Sequence, residues 1–474
     1  MTRRMRGALA LHFAFTFPAS AFCQPTAPIW RQSSTLQMEL HRQYHDTVPL
    51  GTMVTDVSAA DLNGDGADEL LLSVQSLFSP TLNVRVISSL DGRLLNSIMI
   101  PQTSLVSSAF VVPGNDFDGD GINDILVGVL DMSTVYAFSS RNSSLLFSRT
   151  VVDTSTFTGS QFGSGLTSFS DVTGDGVDEI AVGAPGVNGF SGEVQIYSVA
   201  TQSLVRTIAV PNSSGLGKIV KVLPDINGDS RDDLLVASYD SQVRVFSGVD
   251  GSVIYQAGFG ALPGTSPDVK AIEVLGDIDS DGYADFAVAY NPVAGGIRRA
   301  GEISYLSGAS GALMHTFAAN SPSAEGNLYF VHVKNIGDYD LDGVDDAVLF
   351  SNAVTSRGFE GFTRVVSGRT LQMMFTETDM PLTDIPRSYH LTSIADPSGS
   401  ARRSLVLSHH TLPTGGPEIS YSVWSFERVW QSTSDISTAT GGTIRWEFDY
   451  GTGAANNYFL LVGSETGTSG FSLL

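Results

Sequence analysis

A seven-bladed β-propeller of four-stranded antiparallel blades, an all-β fold, is what this sequence predicts. Three observations carry the prediction. A nine-residue acidic loop recurs six times, starting at Asp61, Asp116, Asp171, Asp225, Asp277 and Asp338, with successive starts 55, 55, 54, 52 and 61 residues apart. A period of that size marks a repeat architecture. Each loop runs into a short apolar segment such as Leu70-Leu71-Leu72 or Leu234-Leu235-Val236, which has the length and composition of a buried strand. Each unit then supplies an alternating segment that ends in Ser, at Ser88, Ser139, Ser198, Ser247, Ser307 and Ser367, and a turn into a fourth strand. Ser suits that place because its hydroxyl can bond the turning backbone. Four short antiparallel strands per unit make one blade.

In chain order, residues 1–21 read as a secretory signal peptide. Arg3, Arg4 and Arg6 precede an apolar run from Ala8 to about Phe17, and Ala19-Ser20-Ala21 fits the small-x-small cleavage pattern. This predicts an exported protein, extracellular, at the cell surface or periplasmic. Cys23 is the only cysteine, so no intrachain disulfide forms, and the bulky Phe22 before it argues against lipidation. No later stretch has eighteen consecutive apolar residues, so no membrane span is expected. Residues 22–50 are a linker or a strand that helps close the domain, and both readings stay open. Residues 51–433 form the propeller. A seventh unit begins at Asp396, where Ser replaces the acids at positions 3, 5 and 9, and Leu405-Val406-Leu407-Ser408 and Val423-Trp424-Ser425 copy the second and third strands. No calcium is expected there, and Arg402 or Arg403 is expected to pair with Asp396 in its place. An eight-bladed ring using the N-terminal segment and the tail is the alternative. From Ser434 the composition shifts, and residues 434–474 read as a small C-terminal β module, truncated or completed by a partner.

The loops carry the chemistry. Acids at positions 1, 3, 5 and 9 repel one another and resist ionising together, and a hard divalent cation removes the conflict by taking six to eight oxygens. The candidate ligands in the first loop are Asp61, Asn63, Asp65, the carbonyl of Ala67, and Glu69; in the second, Asp116, Asp118, Asp120, the carbonyl of Ile122, and Asp124. The third offers Asp171, Thr173, Asp175, Val177 and Glu179, and the fourth Asp225, Asn227, Asp229, Arg231 and Asp233. The fifth offers Asp277, Asp279, Asp281, Tyr283 and Asp285, and the sixth Asp338, Asp340, Asp342, Val344 and Asp346. An EF-hand would need a bidentate Glu at position 12 and flanking helices. Position 12 is instead apolar in all six copies: Leu72, Val127, Val182, Val236, Val288 and Leu349. About six Ca²⁺ ions, one per loop, are predicted, in a structural role that fixes the turn between two strands. Their affinity should lie in the ~10⁻⁴ to 10⁻³ M range of extracellular modules.

The composition agrees. Net charge is −23, and the six loops hold 25 of the chain's 49 acidic residues, so the acidity is largely a metal-site signature. Phosphate binding wants a basic surface, which excludes nucleic acid as a partner. The chain contains no His-Glu-x-x-His pair, no Gly-x-Ser-x-Gly elbow and no phosphate-cradling loop. His409-His410, after the second strand of the seventh unit, and His390 read as a solvated loop rather than a transition-metal site, because no acid or Cys accompanies them. Six equal acid clusters do not resemble the one asymmetric constellation that catalysis needs.

The third unit contains Phe162-Gly163, the loop Asp171–Glu179, and Gly183-Ala184-Pro185. It resembles the FG-GAP repeat of integrin alpha-chain propellers and the related FG-GAP/VCBS-like repeats of secreted bacterial proteins. The other units match in their loops, so the resemblance covers about Gly51 to Thr433. It implies calcium loops on one face and ligand binding on the other. Thr173, in place of an acid or Asn, and Ser230, in place of Gly, depart from the pattern and imply weaker sites. Three function classes follow. The first is a non-enzymatic binding or adhesion module for a protein or glycan at the cell surface or in the matrix. The others are a polysaccharide lyase or hydrolase with its site in the channel, and a structural envelope component.

Overall fold

The computed structural model describes residues 32–47, 52–76, 80–101, 108–151, 159–259, 268–291, 293–294, 297–298, 301–318, 327–355, 358–380, 389–395, 403–411, 418–432, 461–462 and 472–473. The chain divides into two compact units, Met38–Phe426 and a second formed by Met1–Gln37 with Glu427–Leu474. In the second unit the described pairing is the short antiparallel ladder of Leu461–Val462 with Ser472–Leu473. The signal-peptide segment and most of the C-terminal module lie outside the described residues.

The larger unit is a ring of four-stranded sheets, the first six of them meanders in sequence order. Blade 1 consists of Thr52–Ala60, Glu69–Ser76, Thr81–Ser88 and Leu94–Pro101. Blade 2 is Ala109–Pro113, Ile125–Val129, Thr134–Phe138 and Leu145–Thr150. Blade 3 is Leu166–Phe169, Glu179–Ala184, Glu193–Ser198 and Ser203–Ile208. Blade 4 is Ile219–Leu223, Asp233–Ala237, Gln242–Phe246 and Val253–Gly258. Blade 5 is Asp268–Val274, Phe286–Asn291, Glu302–Leu306 and Leu313–Ala318. Blade 6 is Asn327–Gly337, Asp346–Thr355, Gly358–Val366 and Met373–Met380. The seventh sheet takes three strands from the C-terminal side, Tyr389–Ala395, Arg403–Thr411 and Glu418–Ser432, and its fourth from Gln32–Thr47. The first strand of each blade lies against the first strand of the next, and Tyr389–Ala395 lies against Thr52–Ala60, so the ring closes.

Second strands are buried on both faces. Leu70, Leu71 and Leu72 are fully buried, as are Ile125, Leu126 and Val127. Their alternate side chains enter different cores, because successive residues of a strand face opposite sides. Leu71 joins the core between blades 1 and 2, whereas Leu70 and Leu72 join Ile394 and Val406 of blade 7. The cores therefore lie between blades, and each is built from two repeats. A buried Leu contributes roughly 2–3 kcal/mol, but only once its neighbouring blade is in place.

The turn from third to fourth strand also repeats. The ladder slips by one residue just before the terminal Ser in all six of the first blades, for example between Val86 and Ile87 and between Val245 and Phe246. Four residues after that Ser the backbone is left-handed, at Gly92, Ser143, Gln202, Gly251, Gly311 and Leu371. The Ser hydroxyl accepts a backbone N–H two or three residues on, from Leu90, Thr201, Asp250 and Thr370 in four of the blades. His409 and His410 lie within the strand Arg403–Thr411, paired with Ser420 and Ile419, not in a loop after it. The antiparallel ladder of this unit continues through them as far as Thr411, opposite Glu418.

Candidate metal centres

Each acidic loop joins the first and second strands of its blade. Numbering each loop from its first Asp, the same hydrogen bonds recur in all six. The position-1 carboxylate accepts the position-6 N–H, as from Gly66 to Asp61 at 2.9 Å and from Gly121 to Asp116 at 2.7 Å. The position-5 carboxylate accepts the position-7 N–H, as from Ile122 to Asp120 at 3.0 Å. The position-9 carboxylate accepts the position-2 N–H, as from Phe117 to Asp124 at 2.8 Å. These bonds require a left-handed residue at position 6, with φ +85° at Gly66 and Gly121, and the fourth loop places Ser230 there at φ +67°. Position 4 is left-handed as well, and two loops meet it without glycine, through Ser280 and Leu341.

The backbone therefore folds around the acids and turns them toward one another. In four loops three carboxylates each present an oxygen within 4.8 Å of the others: Asp116, Asp118 and Asp124; Asp171, Asp175 and Glu179; Asp277, Asp279 and Asp285; Asp338, Asp340 and Asp346. These four clusters could hold a metal ion. The third forms without position 3, where Thr173 donates its hydroxyl to Asp171. In the first and fourth loops position 3 is Asn, and its amide stands among the acids. Asn63 Nδ2 donates to Glu69 at 2.9 Å and to Asp65 at 3.0 Å, and Asn227 Nδ2 donates to Asp233 at 3.2 Å.

The position-9 acids sit at the root of the second strand. Burial, opposed in part by the backbone N–H bonds and reinforced by the neighbouring loop acids, pushes Asp124 and Asp285 up to about 6 and Glu69 and Asp346 up to about 7. Glu179 and Asp233 are raised for the same reason. Asp171, at the exposed mouth of its loop, is lowered instead, chiefly by the Gly176 N–H. Glu179 is fully buried, and its Oε1 has no hydrogen-bond partner among the described residues. A buried carboxylate oxygen without a donor costs roughly 1–3 kcal/mol, and a hard cation supplies what that atom lacks. The donor set, all oxygen and mostly carboxylate, suits calcium rather than a transition metal.

The terminal Ser of the third strand adds a contact that spacing alone did not show. Ser198, Ser247 and Ser307 donate to the position-5 acids Asp175, Asp229 and Asp281 at 3.0, 3.2 and 3.4 Å. In the second and sixth loops an arginine stands beside position 5, Arg141 near Asp120 and Arg369 near Asp342, both at 3.6 Å. Asp396 and Arg402 of the seventh unit lie outside the described residues. Among the described residues, Arg403 reaches across the closing seam to Asp68 of blade 1 at 3.0 Å, with Ser393 Oγ taking its Nε–H at 3.0 Å. Arg403 is the eighth residue of its unit, and like Asp178 and Asp232, the eighth residues of loops 3 and 4, it reaches the neighbouring blade.

The glycine and aromatic positions of blade 3 have a packing role. Phe162 is fully buried against Tyr197. Gly163 turns at φ +96° and donates to the Gly183 carbonyl at 2.9 Å. A Cβ on Gly128 would stand 2.4 Å from the Gly163 carbonyl oxygen, and one on Gly183 would stand 1.8 Å from that of Gly217. The two motifs are thus the places where backbones of blades 2, 3 and 4 touch.

The FG-GAP repeat family matches residues 162–197, the span that holds these contacts and the third loop. Human integrin alpha-8 is 28% identical over 206 residues, 39% of this chain and 19% of that protein. Human integrin alpha-11 is 26% identical over 148 residues, 28% of this chain and 12% of that protein. Mouse integrin alpha-IIb is 30% identical over 153 residues, 28% of this chain and 15% of that protein. The chain spans about a fifth or less of the length of these relatives. With the repeat, its loops and its blade contacts all in place, residues 162–197 form an FG-GAP repeat, and the chain is similar to the integrin alpha chains over the matched stretches.

Proposed function

We propose that this protein is an exported, calcium-stabilised propeller that acts as a non-enzymatic binding or adhesion module for a protein or glycan at a cell surface or in a matrix. The ions are about six Ca²⁺, one per loop, held by the side chains at positions 1, 3, 5 and 9 and the carbonyl at position 7. Loops 2, 3, 5 and 6 are the stronger sites, because three carboxylates already converge in each; for loop 3 this reverses the weaker binding expected from Thr173. Loops 1 and 4 require their Asn amides to turn before the carbonyl oxygen can ligate. Export rests on the basic and apolar character of residues 1–21. No helix among the described residues is long and apolar enough to cross a membrane.

The observation that carries the binding role is a division of labour between the two ends of the ring. In a meander, the loops after first strands and the turns after third strands share one end, and that end holds the acid clusters. The other end carries the links from second to third strands. There Phe190 and Tyr239 are 40% and 41% exposed, and the Phe190 carbonyl accepts the N–H of Gly215, whose backbone packs beside the Tyr239 ring. Lys218 Nζ stands 4.7 Å from that ring's centre. Two exposed aromatic rings at this end, one beside the Lys218–Asp268 ion pair at 2.8 Å, suit a protein or sugar surface.

The test is an array of purified matrix proteins and glycans, probed with and without calcium. Capture should occur in millimolar calcium and be lost on combining Phe190→Ala with Tyr239→Ala, while the melting temperature stays unchanged. Release of products from a polysaccharide panel would overturn the reading in favour of an enzyme.

A further inference from the structure

At three blade seams the eighth residue of a loop bonds the neighbouring blade. Asn115 immediately precedes Asp116, the first acid of loop 2, and blade 3 grips it. Its backbone N–H donates to Ser168 Oγ at 3.1 Å, that hydroxyl donates to its Oδ1 at 3.0 Å, and its Nδ2 donates to Asp178 Oδ2 at 2.5 Å. The Asn115 carbonyl accepts the N–H of Asp124, the ninth residue of loop 2, at 3.3 Å. Asp178, the eighth residue of loop 3, accepts through Oδ1 the N–H of Asp171, the first acid of loop 3, at 2.9 Å. An unbroken chain of hydrogen bonds thus runs from the first acid of loop 3, through Asp178 and Asn115, to both ends of loop 2.

The arrangement repeats at the next seam. Ser170, just before Asp171, donates to Asp232 Oδ2 at 2.7 Å and accepts the Asp232 N–H at 2.9 Å, and Asp232 is the eighth residue of loop 4. At the closing seam Asp68, the eighth residue of loop 1, accepts the Ala395 N–H at 2.6 Å together with Arg403. Between blades 4 and 5 the equivalent residues are Pro224 and Ala284, which have no side-chain group to share.

We infer that Asp178 and Asp232 are positioning residues that couple cation binding between neighbouring loops, so that loops 2, 3 and 4 respond as a linked set while loops 4 and 5 respond independently. The inference rests on the calcium reading above. A cation in loop 3 fixes Asp171, and with it the N–H that orients Asp178. The ordering of Asn115 at the foot of loop 2 is then already in place when the second ion arrives. Coupling of this kind is reciprocal.

Glycine-selective ¹⁵N labelling separates the loops, because the Gly121, Gly176, Gly228 and Gly282 N–H groups bond the first acids of loops 2, 3, 4 and 5 respectively. Calcium titrations of the full chain should show Asp171→Asn raising the Gly121 midpoint about fivefold. With Asp178→Ala in both backgrounds, Asp171→Asn should leave that midpoint where it was. Asp277→Asn in loop 5 should not move the Gly228 midpoint. Should Asp171→Asn fail to fold, Asp175→Asn disables the same loop from an exposed position. An unmoved Gly121 midpoint, or an equal effect of Asp277→Asn on Gly228, overturns the coupling and leaves the calcium reading intact. A Gly121 signal indifferent to millimolar calcium in the unaltered protein overturns both.

Discussion

Substituting Gly183→Ala tests whether blade contacts, rather than loop chemistry, set the register of the ring. Gly183 lies in the second strand of blade 3, donates to the Gly165 carbonyl at 2.7 Å and accepts from Gly163. An added Cβ would stand 1.8 Å from the Gly217 oxygen, 2.7 Å from its carbonyl carbon and 3.0 Å from its Cα. All three atoms are main chain, so no rotamer change relieves the clash, and blades 3 and 4 must separate by roughly 1 Å. Overpacking that side chains can absorb costs ~1–3 kcal/mol. A backbone clash belongs at the top of that range, and weakening the two hydrogen bonds adds about 1 kcal/mol more. At about 2 °C per kcal/mol for a domain of this size, the melting temperature should fall by about 6–8 °C. The control is Gly258→Ala, where the nearest atom to a new Cβ is the flexible Gln242 amide nitrogen at 3.6 Å, and a change within about 1 °C is expected. Thermal unfolding followed by circular dichroism in millimolar calcium decides the matter. If the two variants melt within a degree of each other, the backbone contact at blades 3 and 4 does not support the fold.

Removing calcium with EDTA should lower the melting temperature and re-addition should restore it, since each loop filled at ten times its Kd contributes ~1.4 kcal/mol; an unchanged curve removes the ion from the stability argument. Ser230→Gly should raise stability by about 0.5–1 kcal/mol, because Ser230 sits at φ +67° where the other five loops have glycine, and urea midpoints that fall instead would refute this. Asp56, in the first strand of blade 1, is pushed up to about 6 by burial, against the pull of the Val111 and Val57 N–H groups and of Lys334 and Lys221. Its folded pKa lies above the unfolded value, so the fold is stabilised relative to neutral pH below about pH 4, and that stability is lost as pH rises through 6. Asp56→Asn keeps an acceptor for the Val111 N–H and should match the unaltered protein at pH 4. It should exceed it by about 1 kcal/mol at pH 7, once solvent screening is allowed for. Urea unfolding that shows the gap closing as pH rises would refute the assignment.

The candidate sites were legible to different depths. Positions 1, 5 and 9 could be read directly, because a loop that concentrates acids needs the same backbone N–H groups each time it forms, and the spacing records that need. The Ser substitutions of the seventh unit lead to the expectation of no ion there, but the contact of Arg403 with Asp68 was not readable. Its contact with Asp68 spans 335 residues, and no local pattern encodes which blade stands beside which. The same holds for Asp178 and Asn115. Eighth residues are Asp in four units, at Asp68, Asp178, Asp232 and Asp345, and Asn123, Ala284 and Arg403 in the others, and an Asp there does not by itself tell a bond across the seam from one within the blade, such as Asp345 with Asn335.

By itself, then, the sequence determined what is short-range and repeated: strands of alternating or continuous apolar character, turns that need Ser and glycine, and acid clusters at even intervals. Each is dictated within about twenty residues by backbone geometry and charge repulsion. Tertiary structure decided what depends on neighbours. It brought Gln32–Thr47 beside Glu418–Ser432 as the last strand of the seventh sheet, set Gly183 against Gly217, and let two asparagines stand among the acids of loops 1 and 4 while the other four loops bring three carboxylates together. The reason is that each core lies between blades, so every blade is completed only by the packing of the next.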